Sequence, residues 1–498
     1  MKILLIRPPG TGFYSYGFPL GVGYIAAILK KSGYNVIIYD ALNDSPAFIR
    51  EKISRENPDV IGISNQFSPQ FDDVKSIARI AKDINKNFLV VAGGSHPSSC
   101  PSDFFNKTNC VDIVVIGEGE YTMLEIVQKI SNNQPWQDIK GIAFKRNTEV
   151  IKNPIRPSIK NLDELPYPAY ELFDMEVYFK LTNFSLDRPT FAYPGSERAI
   201  NLITSRGCPY NCVFCSIHSV MGNIWRAHSP EYVINHIKFL IEKYKIKHIH
   251  FEDDNLTLDK DRFKRMLDLI LEADLKISWD TPNGVRADIL DEELLRKSKK
   301  AGCVYLVMGV ESGDQAVLDK IVQKKLSLKA VETTSKLAKN VKLNLEAFFV
   351  IGFPGETIQN MRDTLNFAFK LQFRYGVYPI LLIATPLPGT RLYEICVKKG
   401  YIKEDFSYSR ISPSILSEGM IETEDFTLFD VRRLFKYFKY IRAMLAIINF
   451  VRFCFLSPIF MFRKFIYLFR IFFISSEKTG FNLKIFLRNL IRYNLVSP

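Results

Sequence analysis

Short apolar runs alternate with longer stretches of mixed polarity through the first 130 residues. Lys2-Ile3-Leu4-Leu5-Ile6 has the pattern of a buried strand, broken by Pro8-Pro9-Gly10. Pro19–Leu29 feeds a helix, Asn35–Asp40 is a second strand, and Val60–Ser64 is a third after a helix that stops near Asn57-Pro58. Phe88–Gly94 and Val111–Gly117 complete the series. Strands alternating with helices predict an open, doubly wound parallel α/β sheet, here over residues 1–145. Ligands of such sheets bind beyond the carboxyl ends of the strands. Those ends carry Ser64-Asn65-Gln66, Gly93-Gly94-Ser95-His96 and Gly117-Glu118-Gly119-Glu120, whose glycines let backbone approach a large ligand closely.

Residues 146–195 read as an irregular linker, with Pro154, Pro157, Pro166, Pro168, Pro189 and Pro194. A second α/β rhythm follows over 196–400. Arg198–Thr204 runs into a cysteine loop, and His248–Phe251 ends in Glu252-Asp253-Asp254. Lys276–Thr281 leads to Arg286, Tyr305–Val310 ends in Glu311-Ser312-Gly313, Leu345–Ile351 leads to Gly352-Phe353-Pro354-Gly355, and Pro379–Thr385 closes the series. Six β/α units predict a partial barrel, and polar residues at the carboxyl ends of barrel strands are functional candidates.

Residues 401–498 form a third, helical region. Val431, Leu434, Phe435, Phe438, Ile441, Leu445 and Ile448 fall at helical spacing, with Arg432, Arg433, Lys436, Lys439 and Arg442 on the other side. This is the pattern of a basic amphipathic helix lying on a membrane surface. Residues 443–462 are long enough to span a bilayer, but Arg452 and Pro458 interrupt them and favour an interfacial or re-entrant segment. Phe465–Phe469 and Ile471–Ile474 extend the greasy, Arg-edged pattern. Alternatives are a helical lid packed on the barrel and, less compatible with so apolar a strip, a nucleic-acid groove; no nucleic-acid partner is expected. Charge sets this region apart. The chain carries +13, yet residues 431–498 hold thirteen basic residues against one acid, Glu477, which leaves the remainder near neutrality.

The most specific chemistry lies in Arg206-Gly207-Cys208-Pro209-Tyr210-Asn211-Cys212-Val213-Phe214-Cys215. Three thiolates so close converge on one soft metal centre. A [4Fe–4S] cluster on three cysteines keeps one iron open to another molecule. A structural zinc site would need a fourth ligand, for which His218 is the candidate, and a disulfide with a spare thiol is the other reading. No secretory leader is expected at Met1–Arg7, so the eight cysteines point to a reducing cytoplasm. Cys100, Cys110, Cys303, Cys396 and Cys454 show no ligand spacing and read as small buried hydrophobes.

The C-x3-C-x2-C run, with Phe214 before its last cysteine, resembles the signature of radical S-adenosylmethionine (SAM) enzymes. Pro19-Leu20-Gly21, Pro58–Ser64, Gly93–Pro97 and Gly117–Glu120 resemble, in that order, the cobalamin-binding domain that precedes many of them, and Leu162–Ala169 resembles their interdomain connector. The resemblance covers about residues 1–400 and implies three cofactors: the cluster, SAM and cobalamin. It implies that Cys208, Cys212 and Cys215 hold the cluster. Asp253, Asp254, Glu311, Ser312, Gly352 and Gly355 then contact SAM, with Arg286 either on its carboxylate or bridging two barrel acids. Ser64, Gln66, Gly93, Gly94, His96, Gly117, Glu118 and Gly119 line the cobalamin site. No Asp-x-His-x-x-Gly motif occurs, so no histidine from it is expected below the cobalt, and His96 either touches the cofactor or orders its loop.

The implied reaction is reductive cleavage of SAM, hydrogen abstraction from an unactivated carbon and methyl transfer through cobalamin. Ring closure or rearrangement, as in the anaerobic chlorophyll-ring cyclase, is the alternative. A flavodoxin or ferredoxin would supply the electron, and the basic tail suggests a lipid or isoprenoid substrate and contact with the inner face of the membrane. Two further readings remain: a radical SAM enzyme without cobalamin, such as the tRNA methylthiotransferases, and a non-catalytic iron–sulfur or cobalamin sensor.

Overall fold

The computed structural model describes residues 1–9, 17–42, 44–184, 198–402 and 406–456. Gly10, Pro189, Pro194 and the apolar segments beyond residue 456 lie outside the described residues, as does the side chain of Cys454. The chain divides into two units: Met1–Glu176 with Ser205–His228 and Thr385–Pro413, and Val177–Thr204 with Ser229–Ala384 and Ser414–Pro498.

In the first unit, β1 (Lys2–Arg7), β2 (Asn35–Asp40), β3 (Val60–Ser64), β4 (Leu89–Gly93) and β5 (Ile113–Val115) pair in parallel in the order β2-β1-β3-β4-β5. Between them run α1 (Leu20–Lys31), α2 (Pro46–Glu56), α3 (Phe71–Ile84), the short α4 (Ser95–Ser99) and α5 (Asp103–Asn106), and α6 (Glu120–Ser131) follows. Side chains of a strand alternate between faces, so each strand feeds two cores. Leu4, Ile6, Ile61 and Ile63 pack with Val74 and Ile77 of α3, whereas Ile3, Leu5 and Val60 pack with Ala26 and Leu29 of α1 and Ile126 of α6. Each such side chain contributes about 1.5–3 kcal/mol of burial. Helix α2 stops at Asn57, whose φ of 42° suits a left-handed cap.

The sequence reading ended this sheet at its fifth strand. The structure adds an antiparallel hairpin, β6 (Ile142–Arg146) and β7 (Glu149–Lys152), with β6 alongside β5. Ile142, Ala143 and Phe144 are buried, and Asn147 turns the chain with φ 55°. After the linker, α7 (Met175–Phe184) follows.

By its contacts the cysteine-bearing segment groups with this first unit. Its ends form a small antiparallel ribbon, β9 (Ser205–Arg206) with β10 (Arg226–Ala227); β8 belongs to the second unit. Glu118 takes both arginines: Arg206 Nη1 at 2.8 Å and Arg226 Nη1 at 2.9 Å, with Arg206 Nη2 on Glu120 at 2.7 Å. The Ile159 amide donates to Glu118 Oε2 at 2.9 Å. A short helix, α13 (Arg391–Lys399), is tied to the loop by the Leu392 amide, which donates to the Val213 carbonyl at 2.9 Å.

The second unit holds β8 (Ala199–Leu202), α8 (Pro230–Tyr244), β11 (His248–Phe251), α9 (Lys260–Glu272), β12 (Ser278–Val285), α10 (Glu292–Lys300), β13 (Cys303–Glu311), α11 (Leu328–Val341), β14 (Asn344–Ile351), α12 (Ile358–Tyr375) and β15 (Tyr378–Ile383). Its six strands are parallel and adjacent in chain order, as the six β/α units imply. Ser229, Asp259, Asp291 and Thr357 cap their helices by accepting from the third helical amide, at about 1 kcal/mol each. One face of the sheet meets the helices: Trp279 packs on Phe251 and on Phe263 of α9. The opposite face of β8, β11, β12, β13 and β14 buries polar groups, namely Asn201, His248, His250, Asp280, Tyr305, Asn344 and Glu346.

A C-terminal helix, Leu428–Leu456, belongs to this unit. Val431, Leu434, Phe435 and Phe438, expected on a membrane, are buried against protein, and Phe438 stacks on Phe369 of α12 at 5.6 Å. The amphipathic pattern is present, but its apolar face serves as a lid on the unit's own helices. Farther along, Tyr440, Met444, Ile447, Val451 and Phe455 are exposed. Among the described residues, no helix is long and apolar enough to cross a membrane.

Replacing Glu118 by Gln leaves Arg226 without its carboxylate and Arg206 with Glu120 as its remaining charge partner. Urea unfolding of the cofactor-free protein is expected to show a loss of about 3–5 kcal/mol, and a loss below about 1 kcal/mol would contradict a fold-bearing role for this carboxylate.

Candidate active site

Cys208, Cys212 and Cys215 carry partly exposed thiols that form no disulfide. Their loop has little freedom. Gly207 sits at φ 83°, and a Cβ there would lie 2.4 Å from the Ile224 carbonyl oxygen. The Cys215 amide donates to the Cys212 carbonyl at 3.1 Å, and the Cys208 amide faces Gly222 O at 3.4 Å. His218 directs Nε2 at the Cys208 carbonyl, 2.8 Å away, so this nitrogen orders the loop as a donor instead of ligating a metal. Phe214 is partly buried between the second and third cysteines. An all-sulfur donor set on a stiff, accessible loop fits an iron–sulfur cluster with one open iron.

The carboxyl ends of β3, β4 and β5 lie in the same unit. Ser64 is partly buried and Gln66 exposed, whereas Asn65 between them is fully buried and donates to the Phe67 carbonyl at 2.8 Å. The sequence reading gave Asn65 no role; its neighbours at the strand end were the only signal. Gly94 packs on it so tightly, at φ 116°, that a Cβ would meet Asn65 O at 2.6 Å. Gly93, Gly117 and Gly119 leave the other strand ends without side chains, a fit for a large flat ligand such as cobalamin.

Two expected contacts are committed elsewhere. Glu118 is held by the arginines described above. His96 is 1% exposed, enclosed by Phe71, Phe104 and Tyr408, with Nδ1 3.0 Å from Ser68 Oγ. Burial lowers its pKa, so a neutral, loop-ordering ring results.

The second unit carries the acids at its strand ends. Asp253 is buried and accepts from the Thr204 hydroxyl at 2.7 Å and amide at 3.1 Å; Asp254 beside it is partly exposed. Glu252 accepts from Asn201 at 3.2 Å. Glu311 ends β13 at φ 72°, a conformation that costs a non-glycine residue about 1 kcal/mol or more and clusters at functional sites. Lys324 pairs with it at 2.8 Å. Ser312 is fully buried on Thr364, with Oγ atoms 2.9 Å apart. Arg286 grips Asp288 at 2.7 Å and donates to the carbonyls of Lys324 and Lys325.

Gly352 and Gly355 both adopt φ 91°. The Gly352 and Phe353 amides donate to Glu356 Oε2 at 2.8 Å each. Glu356 is completely buried, and burial pushes its carboxyl up to about 8 although the two amides favour the charged form. The sequence reading passed over it. Its position directly after Pro354-Gly355 was the available clue.

A B12-binding domain matches residues 7–127, and the radical SAM superfamily matches residues 202–368. An uncharacterized methyltransferase of Pyrococcus horikoshii is 37% identical over 410 residues, which cover 80% of this chain and 83% of that protein. The chain belongs to the cobalamin-binding radical SAM enzymes. Cytidylyl-2-hydroxyethylphosphonate methyltransferase of Streptomyces wedmorensis is 30% identical over 461 residues, covering 82% and 84%. The fold is that of the cobalamin-dependent SAM radical enzyme OxsB, solved with aqua-cobalamin bound, at a TM-score of 0.69 and 17% identity over 99% of this chain and 80% of that one.

Glu356 makes stability pH-dependent. Its folded pKa lies above the unfolded value of 4.5, so the folded chain keeps a proton that the unfolded chain releases between 4.5 and about 8. Stability therefore falls as pH rises through that window. Glu356→Gln removes this slope, and its melting temperature should gain on wild type from about pH 5 to about pH 9. A difference that does not change with pH would contradict the assignment.

Proposed function

We propose that this enzyme methylates an unactivated carbon of a small molecule, using a [4Fe–4S] cluster on Cys208, Cys212 and Cys215. The observation that carries the reading is the rigid loop of three closely spaced thiols in a chain whose two relatives above are both named methyltransferases. When bound, the cluster, SAM and cobalamin supply one-electron cleavage, hydrogen abstraction and methyl delivery. The residues hold and orient them. Asp253 and Asp254 suit the ammonium group of SAM, Glu311 and Ser312 its ribose hydroxyls, and Gly352 and Gly355 allow backbone approach to adenine. Ser64, Gln66, Gly93, Gly94, Gly117 and Gly119 line the cobalamin crevice. A small electron-carrier protein of the flavodoxin or ferredoxin kind supplies the electron.

The substrate class we infer is an amphiphile, a lipid or isoprenoid with a polar head, met at the inner face of the membrane. Support for this comes from the exposed stripe Tyr440, Met444, Ile447, Val451 and Phe455 beside a strongly basic C-terminal composition. Anionic lipid attracts such a surface by about 1 kcal/mol per basic residue near it.

Anaerobic reconstitution with iron, sulfide and hydroxocobalamin, then reduction with SAM, tests the chemistry. Bound cobalamin, 5′-deoxyadenosine and S-adenosylhomocysteine are expected together, and Cys212→Ala should abolish 5′-deoxyadenosine. Cobalamin binding with 5′-deoxyadenosine but no S-adenosylhomocysteine in the presence of lipid extract would favour cyclisation or rearrangement. No 5′-deoxyadenosine from a well-formed cluster would overturn the enzyme reading in favour of a sensor. Vesicle flotation tests the membrane contact separately: the protein should float with vesicles containing phosphatidylserine and not with pure phosphatidylcholine, and equal recovery in both would reject an electrostatic contact.

A further inference from the structure

The polar face of the second unit's sheet holds a cluster that SAM chemistry does not use. His248 and His250 alternate on β11, and the parallel register sets them beside Ser278 and Asp280 of β12. Both imidazoles turn toward one carboxylate: His248 Nε2 lies 3.1 Å from Asp280 Oδ2, and His250 Nδ1 lies 2.8 Å from Oδ1. One ligand-type atom from each residue falls within 4.8 Å of the others. Exposure is 0% for His248 and Asp280 and 1% for His250.

As a hydrogen-bonded network alone, the cluster is incomplete. Among the described residues, no Lys or Arg forms an ion pair with Asp280, and its buried carboxylate faces the two imidazoles. His250 Nε2 is buried with no hydrogen-bond partner. A divalent ion would offset the charge of the Asp280 carboxylate. Two imidazoles and one carboxylate are the donor set of zinc sites that keep a fourth position open. The present separations are a few tenths of an ångström below the roughly 3.3 Å expected between tetrahedral ligands about 2.0–2.1 Å from zinc. The second shell is half built, since His248 Nδ1 lies 2.7 Å from Ser278 Oγ.

We propose that His248, His250 and Asp280 form a buried binding site for a zinc-class divalent cation, separate from the cysteine loop. Binding needs no net proton loss: each imidazole moves its proton to the nitrogen facing away from Asp280. For His248 that proton then faces Ser278. A water or an oxygen of a small molecule completes the coordination.

The test uses enzyme already reconstituted with iron and sulfide, so that the thiolates are occupied. Zn²⁺ is added, excess is removed, and bound zinc is measured by mass spectrometry and by X-ray absorption at the zinc edge. About one zinc per chain is expected, in a nitrogen–oxygen shell with imidazole scattering and no sulfur. Asp280→Asn and His250→Gln should each weaken zinc binding by about 100-fold or more. Zinc below about one-tenth per chain, sulfur in its shell, or unchanged binding in both variants would overturn the proposal. Should the variants misfold, the absorption spectrum of the unaltered enzyme still decides.

Discussion

The arrangement of the cysteine loop depends on one carboxylate. Glu118 side-chain exposure is only 6%, and its two oxygens serve Arg206, Arg226 and the Ile159 amide at once. Charges withdrawn from water to this degree are tolerated only when every partner is in place, because a single missing partner exposes the full desolvation cost. Arg206 directly precedes Gly207 and Cys208, and Arg226 closes the same ribbon. The thiols therefore inherit the stiffness of a seven-stranded sheet through two guanidiniums. Burial opposes the charge of Arg206, and Glu120 with Glu118 more than offsets it, so the guanidinium remains ionised.

What was legible in the sequence follows from what local pattern encodes. The parallel strands of both sheets were readable because buried strands are continuous apolar runs bounded by Gly, Pro or polar residues. The hairpin β6–β7 was not, because Lys145, Arg146, Glu149 and Lys152 give an edge the polarity of a loop. The C-terminal helix showed its apolar face plainly, but amphipathicity reveals that a face is covered and not what covers it. Phe438 went to Phe369 and not to lipid.

Individual site residues were harder for the same reason. Glu118 stands in a glycine-rich strand end, as a ligand contact would, yet its partners lie 88 and 108 residues away and have no signature near it. Arg286 was spent locally on Asp288, two residues on. The cysteines stood out more readily, since their close spacing by itself narrows the chemistry. Glu311 was identified as a strand-end acid, but its left-handed backbone and its clamp on Lys324 exist only in three dimensions. A strained acid fixed by a cation and a buried acid at Glu356 bracket the same set of strand ends, so this part of the sheet carries costs that packing elsewhere offsets.

The polar face of the second sheet limits what could lie against it. Complete β/α barrels fill their interior with branched apolar side chains, whereas this sheet presents Asn201, Tyr305, Asn344 and Glu346 alongside the histidines and Asp280. A hydrocarbon chain laid against that face would strand donors and acceptors without water. Sites built to hydrogen-bond their substrate discriminate against analogues lacking the matching group by about 10⁴-fold or more. Any group that came to lie against that face would have to bring donors and acceptors of its own, which a polar head does and a saturated chain does not.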